Sequence, residues 1–348
     1  MSAIIRAMTV QRPSLAQVAA LSGVSVKTAS RALGGEPRVA AETRQRVRSA
    51  ADELGYRPNG IARELRRGAG TSTLVGLLSG DLANPFYSRL ASGLERELRM
   101  HGLQLITAST DEDPEWELRL TGTLLERRVR ALVIASTMAE HGHLAAEGRH
   151  GIPFVFVDRP PVGLPADAVL LDNHGGARQA AEHLLAAGHR HIGVIGDLSR
   201  LTTHRDRVGG FAAAMQAAGI AGWARYLLQD AHDVAAAEGA VRALLQRPEP
   251  PTALFAMNNR ITTGALHALR GHPVSPALIG FDELDLGEVL GVSVIAHDPE
   301  EMGRRAGELL LGRLQPEPGR PPQRPETVVL PTRLIIRASS TKPITAPR

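Results

Sequence analysis

Residues 14–35 read Ser-Leu-Ala-Gln-Val-Ala-Ala-Leu-Ser-Gly-Val-Ser-Val-Lys-Thr-Ala-Ser-Arg-Ala-Leu-Gly-Gly, two short helical patterns around a glycine turn. In the first pattern, Leu15, Val18 and Ala19 share one apolar face at i, i+3, i+4. Gly23 stands where a helix end needs positive φ, and Ser25 can cap the next helix through its side-chain oxygen. On that second helix Lys27 and Arg31 lie four apart on one face, while Ala29, Ala32 and Leu33 point the other way. A helix pair with a basic outer face is the geometry of a helix-turn-helix, whose second helix enters the DNA major groove. A third helix is expected from Val39 through Leu54, with Val47, Ala50, Ala51 and Leu54 apolar, Glu42 near its start and Gly55 as its stop.

The charge distribution agrees. Residues 1–68 hold 12 Lys and Arg against 5 Asp and Glu, whereas the whole chain holds 40 against 36. The basic excess therefore belongs to the N-terminal fifth, as expected if that part alone meets phosphates. A length of 348 residues implies a small module joined to a larger, divided one. No run of about 18 apolar residues predicts a membrane span. The N-terminus lacks the features of a secretory signal, and the absence of cysteine rules out disulfide and thiolate chemistry and is compatible with the cytoplasm. Met8, just before the helical module, is a candidate alternative start.

After the third helix, Tyr56–Gly68 contains Asn59, a possible cap for a short helix bearing Ile61 and Leu65 among arginines. From Thr73 the pattern changes to apolar strands alternating with helices. Strands are expected at 74–78, 103–107, 131–135, 153–158, 192–196, 225–228, 253–257 and 277–281, with helices at about 88–101, 115–128 and 140–150 in the first half. Continuous apolar strands separated by helices imply parallel sheets covered on both faces, and two such series in tandem imply two lobes. Ligands of such folds sit at the C-terminal ends of the strands. Pro316–Pro325 reads as a surface loop before a strand at Thr327–Leu330 and an apolar run at Leu334–Ile336.

These motifs, followed by Glu42-Thr-Arg-Gln-Arg-Val47, Leu54-Gly-Tyr-Arg-Pro-Asn59, Asn84-Pro-Phe-Tyr87, Leu185-Ala-Ala-Gly-His-Arg-His-Ile-Gly193, Arg207-Val-Gly-Gly-Phe211 and Ile279-Gly-Phe-Asp-Glu283, resemble the lactose-repressor (LacI) family of transcriptional regulators over residues 13–338. The resemblance implies an all-α helix-turn-helix headpiece at 13–57 and a hinge helix and linker at 58–70. It further implies an α/β two-lobed core at 71–338, of the periplasmic-binding-protein type, with two doubly wound parallel sheets. The N-lobe is expected at about 71–170 and 298–326, and the C-lobe at about 171–297 and 327–338. The family works as a homodimer, sometimes a dimer of dimers, on a near-palindromic operator, with a small effector between the lobes controlling headpiece spacing.

Carried over position by position, the resemblance implies DNA contacts from Ser14, Ser25, Val26, Lys27, Thr28, Ser30 and Arg31 in the headpiece and from Asn59, Ile61, Ala62 and Leu65 in the hinge. Lys27 and Arg31 can donate to guanine O6 and N7, and Val26 can touch a thymine methyl; phosphate contact is the alternative for both cations. Leu65 matches the leucine that wedges into the minor groove, or packs on the paired hinge helix. Effector contacts are implied for Phe86, Tyr87, Arg207, Asn258, Asp282 and His297, the last at a position where relatives often carry glutamine. Ala16, Gln17, Ala29 and Gly34 depart from the family pattern in the headpiece. Asn259 replaces a common aspartate, and Val234 stands where sugar-binding relatives place a stacking aromatic, which argues against a hexose stacked in the usual way.

Two other classes fit the residues less well. A periplasmic sugar-binding protein shares the two-lobed body but not the basic headpiece of residues 1–68. An enzyme with a DNA-binding appendage needs a catalytic constellation. Asp282-Glu-Leu-Asp285 is a strand-end loop, His189-Arg-His191 lacks further ligands at metal spacing, and Gly193-Val-Ile-Gly196 is not a dinucleotide fingerprint. No catalytic residue, metal or cofactor is expected.

Overall fold

The computed structural model describes residues 13–36, 38–57, 72–273, 275–315 and 324–341. The chain divides into two compact units, Met1–Ser72 and Thr73–Arg348. The expected hinge contacts Asn59, Ile61, Ala62 and Leu65, and Met8, lie outside the described residues.

The first unit contains α1 (Leu15–Leu21), α2 (Val26–Leu33) and α3 (Ala41–Glu53). Ser14 and Gln17 form a reciprocal capping box at the start of α1, with Gln17 N donating to Ser14 Oγ at 3.3 Å and Ser14 N donating to Gln17 Oε1 at 2.7 Å. The turn needs Gly23 at φ +67°, and Ser25 Oγ then accepts from Thr28 N at 3.1 Å to open α2. Val18, Ala19, Ala29, Ala32, Val47, Ala50 and Ala51 make the core. Five of these seven are alanine, so the helices must approach closely for so small a core to exclude water.

The second unit holds two six-stranded sheets. β1 (Leu74–Ser79), β2 (Gln104–Ser109), β3 (Ala131–Ile134), β4 (Phe154–Val157), β5 (Asp167–Leu171) and β11 (Thr327–Leu330) pair in the order β11-β5-β4-β3-β1-β2, all parallel. Residues alternate between its two faces: Val75, Leu77, Val133 and Val155 enter one core, and Leu78, Leu132, Ile134 and Phe156 enter the other. In the second sheet β6 (Ile192–Ile195), β7 (Leu227–Leu228), β8 (Ala253–Ala256), β9 (Ala277–Phe281), β10 (Ser293–Ala296) and β12 (Arg333–Ile335) pair in the order β12-β10-β9-β8-β6-β7. Only the β10–β12 pair is antiparallel.

The helices α4 (Pro85–Met100), α5 (Pro114–Glu126), α6 (Ala145–Arg149) and α11 (Pro299–Leu314) belong to the N-lobe. The C-lobe holds α7 (Asn173–Ala186), α8 (Thr202–Ala217), α9 (Val234–Leu245) and α10 (Asn259–Leu269). The chain crosses between lobes after β5, after β10 and after β11. In both lobes helices meet backbone to backbone through glycine. A Cβ on Gly93 of α4 would lie 2.0 Å from Glu300 O of α11, and one on Gly210 of α8 would lie 2.0 Å from His174 O of α7.

Several boundaries differ from the sequence expectation. Thr327–Leu330 pairs with β5, so it belongs to the N-lobe, and the last C-lobe segment starts only near Arg333. Two short apolar runs separated by Pro331-Thr332 carry no periodicity that assigns them to different sheets. β5 and β10 are further strands. Residues 221–226 wind as a 3-10 segment, which leaves only Leu227-Leu228 to pair with β6. The helix expected at 140–150 is a 3-10 turn at Gly142–Leu144 followed by the five-residue α6. Among the described residues no helix is long and apolar enough to cross a membrane.

Candidate functional site

The headpiece presents α2 as an open basic surface. Ala29 and Ala32 are buried on one side, while Val26, Lys27 and Arg31 are exposed on the other, with Val26 48% accessible. An exposed β-branched residue at the first helical position gains nothing from burial here and is free to touch a partner. Ser14 and Ser25 spend their hydroxyls on the helix caps, and Thr28 Oγ1 lies 2.9 Å from Ser25 Oγ. Ser30 is half-buried. Arg31 is paired with Glu36 (Nε–Oε2 3.3 Å), and Arg44 donates to Glu36 O at 2.9 Å, which fixes the loop after α2.

The second site lies between the lobes, where strand ends of both sheets meet. Phe86, Tyr87, Arg207, Asn258 and Asp282 line one cavity of about 40 Å³. The same walls carry Asp81, Glu112, Asp158, Arg159, Asp197, Thr203, His232 and Arg260, none of them among the effector contacts expected from the sequence. Five carboxylates therefore face three guanidiniums and one imidazole. The missed residues follow apolar strands: Asp81 after β1, Glu112 after β2, Asp158 after β4, Asp197 after β6 and His232 after β7. The strand-end rule, applied to every charged residue after an apolar run, would have found them.

Asp158 and Asp282 occupy equivalent places in the two lobes. Each follows the third strand from the end of its sheet, adopts positive φ (66° and 69°), and donates its backbone N–H to the next strand, to Val169 O and Ile295 O, at 3.0 Å. Their side chains differ. Asp282 Oδ1 accepts from His297 Nε2 at 2.8 Å, Oδ2 accepts from Asn259 N at 3.3 Å, and Arg207 lies 4.0 Å away. Burial alone would raise its pKa, but His297 and Arg207 hold it below the usual carboxylate range. Asp158 meets only Arg159 Nε, at 3.5 Å, among the described residues, and burial raises its pKa.

Arg159 is committed elsewhere. It makes a bidentate pair with Glu112, both contacts at 2.7 Å, and donates to Ser136 O at 2.9 Å and Tyr87 Oη at 3.2 Å. Burial pushes the Tyr87 hydroxyl well above its ordinary value, despite that arginine. Arg207 donates from Nε to Asn173 Oδ1 at 2.8 Å, donates to Met257 O, and lies 3.7 Å above the Phe281 ring. His232 Nδ1 bonds Asp197 Oδ1 at 2.7 Å, and Asn258 Nδ2 donates to Asp197 Oδ2 at 2.8 Å. That hydrogen bond raises the His232 pKa, while Asp197, which burial alone would raise, is held low by the histidine.

His297 does not line this cavity. Its side chain is 1% exposed and sits behind Asp282, edge-on to Phe86 at 5.5 Å. Val234, the position of the missing aromatic, is half-buried in the first turn of α9. Among the described residues no group of three or more His, Cys, Asp or Glu could hold a metal ion.

The family model for bacterial regulatory proteins of the lacI family matches residues 14–59, and that for periplasmic binding proteins and the sugar-binding domain of the LacI family matches residues 72–284. The chain is 31% identical to the HTH-type transcriptional regulator DegA of Bacillus subtilis (strain 168), over 94% of this chain and 98% of the relative. It is 35% identical to PtxS of Pseudomonas aeruginosa, over 94% of this chain and 96% of that one. It also superposes on a structure of the transcriptional regulator CelR in complex with cellobiose, with TM-score 0.68 and 29% identity, covering 94% of this chain and 100% of the other. With a helix-turn-helix unit whose second helix exposes basic side chains and a two-lobed unit of the family's sugar-binding type, the chain belongs to the LacI family of DNA-binding transcriptional regulators.

Proposed function

We propose that this protein is a cytoplasmic repressor that binds a near-palindromic operator as a homodimer and responds to a small, neutral, polyhydroxylated metabolite held between its lobes. In this reading Lys27 and Arg31 read guanines, Val26 touches a thymine methyl, and Ser14, Ser25, Thr28 and Ser30 meet the backbone. Leu65, with Asn59, Ile61 and Ala62, serves the minor groove at the operator centre. Phe86, Tyr87, Arg207, Asn258 and Asp282 contact the effector, joined by Asp158, and His297 positions Asp282.

The observation that carries the ligand class is the balance of charge and hydrogen-bonding capacity in the cleft. Glu112, Asp197 and Asp81 are each neutralised by a cation, and Arg207 by Asp282, which leaves Asp158 as a buried acceptor short of donors. A hydroxyl supplies the missing donor; a phosphate or carboxylate adds repulsion to a wall already rich in carboxylates. The cellobiose held by the related CelR structure is a ligand of this class.

The test begins with selection of bound genomic fragments by the purified protein at moderate salt. A few palindromic sites are expected. The same DNA is then titrated with neutral sugars, sugar phosphates and sugar acids. Release by a neutral sugar supports the reading, and release confined to the anionic compounds refutes the ligand class.

A further inference from the structure

The cleft is spanned by side chains of the protein itself. Arg260, on the first turn of α10 in the C-lobe, pairs with Asp81 at the end of β1 in the N-lobe. Beside it Asn259 Nδ2 donates to Asn84 Oδ1, the cap of α4, at 2.7 Å. Arg200, before α8, reaches Glu112 O and Thr137 Oγ1 in the N-lobe, and Arg89 of α4 donates to Asp285 of the C-lobe at 2.6 Å. All of these contacts use protein atoms on both sides.

Their strength is unequal. Arg89 and Asp285 are 39% and 67% exposed, so that pair is screened and weak. Arg260 and Asp81 are only 25% and 17% exposed, and both border the cavity. A cavity of about 40 Å³ has room for roughly three waters, at 10–15 Å³ each. Anything as large as a monosaccharide therefore enters only when the lobes part, and parting them breaks the Arg260–Asp81 pair.

We infer that Arg260 and Asp81 form a latch that closes the lobes through the protein's own charges, so that effector entry competes with an internal ion pair. The latch gives lobe closure a salt dependence, because parting the lobes hydrates two opposite charges and added ions favour the separated form. It also sets a threshold: an effector shifts the equilibrium only by what it gains in one lobe arrangement over the other, after the latch is broken. The inference rests on the cleft being the regulatory site only for that consequence. The latch itself is measured with no ligand present, so it can fail while the ligand assignment stands, and the converse.

The chain has no cysteine, so Ala83→Cys and Ser199→Cys place two unique spin labels in exposed loops after β1 and β6, on opposite sides of the cleft. Pulsed electron spin resonance then reads the inter-lobe distance in the full-length protein, diluted with unlabelled chain so that each labelled protomer is counted alone. At 50 mM salt the parent should show one short distance. Arg260→Ala and Asp81→Ala should each raise the ratio of long to short distances about tenfold. The exchanged pair Asp81→Arg with Arg260→Asp should restore the short distance, which a merely misfolded loop could not do. Raising salt to 500 mM should lengthen the parent's distribution and leave Arg260→Ala unchanged. Single variants that keep the parent's distribution, or an exchanged pair no better than either single, would overturn the latch.

Discussion

Replacing His297 by alanine removes the donor that keeps Asp282 charged while buried. The Nε2–Oδ1 bond is 2.8 Å long, and both side chains are under one-tenth exposed. A hydrogen bond to a charged group contributes about 1.5–3 kcal/mol net. Loss of the imidazole from its edge contact with Phe86 and its place beside Phe281 adds about 1 kcal/mol. The expected destabilisation is therefore about 2–4 kcal/mol. His297→Gln keeps an N–H donor of similar reach and should cost less than about 1.5 kcal/mol. Urea unfolding reports the difference. Trp223 is buried in the C-lobe and Trp116 is exposed in the N-lobe, so a Trp116→Phe background makes fluorescence follow the lobe that holds Asp282. The pH dependence separates this mechanism from simple cavity formation. In the parent the Asp282 pKa is depressed, so its contribution is present above the unfolded value and lost as pH falls through the folded one. In the alanine variant the imidazole's share is gone while the cost of burial stays, so the folded pKa lies higher than in the parent and less of that contribution is gained as pH rises. The gap between parent and variant should therefore be smallest in acid and widen as pH rises through the depressed parent value toward neutrality. A gap independent of pH, or a glutamine variant as weak as the alanine one, would refute the reasoning.

Lys27→Ala should relax discrimination at one operator base pair by about 1–3 kcal/mol, measured by binding selections on randomised sites; a uniform loss over all sequences would place Lys27 on phosphate instead. Gly93→Ala drives a Cβ to 2.0 Å from Glu300 O and should destabilise by about 3 kcal/mol or more, whereas Gly122→Ala, with open space at its Cβ in α5, should stabilise by about 0.5–1 kcal/mol. Shifts of the two urea midpoints in the same direction would count against that packing account. His232 has a raised pKa through Asp197, so its stabilisation is complete below pH 6.5 and is lost as pH rises through the folded value. His232→Asn should remove that decline, worth about 1 kcal/mol at most after solvent screening, as seen in thermal unfolding between pH 6 and pH 9.

The headpiece was legible because its signals are local. Ser14, Gly23, Ser25 and Gly55 mark helix ends within a few residues of the apolar positions they organise, and α1, from Leu15 to Leu21, carries Leu15, Val18 and Ala19 between the Ser14 cap and the Gly23 turn. The sheets were legible in kind but not in pairing. Val75, Leu132 and Phe156 announce buried strands wherever they pair, whereas the partner of Thr327–Leu330 is set by two chain crossings that no local pattern records. The cleft was harder still. Glu112, Asp158 and Asp197 lie tens of residues apart and meet only because strand ends converge, and His297, expected as an effector contact, sits behind Asp282 and does not line the cavity.

The two lobes place Asp158 and Asp282 in the same backbone setting and then treat the carboxylates oppositely. The residue that follows each aspartate shows why. Glu283 turns outward to pair with Arg337, which leaves Asp282 to His297 and Arg207. Arg159 turns inward, but Glu112 takes both of its terminal nitrogens, and its Nε is left without a hydrogen bond 3.5 Å from Asp158. One carboxylate is thus saturated by the protein and the other is underserved, on facing walls of one cavity. A ligand that donates gains most on the N-lobe side, where it replaces a missing hydrogen bond, and least on the C-lobe side, where it must share one already made. Asp158→Asn should therefore weaken the response to a donor ligand more than Asp282→Asn alters the free energy of that contact, even though the second change disturbs the fold more. Titration of operator release in both variants, set beside their urea midpoints, measures the two effects separately. Losses of response that simply track losses of stability would mean that the asymmetry has no part in binding.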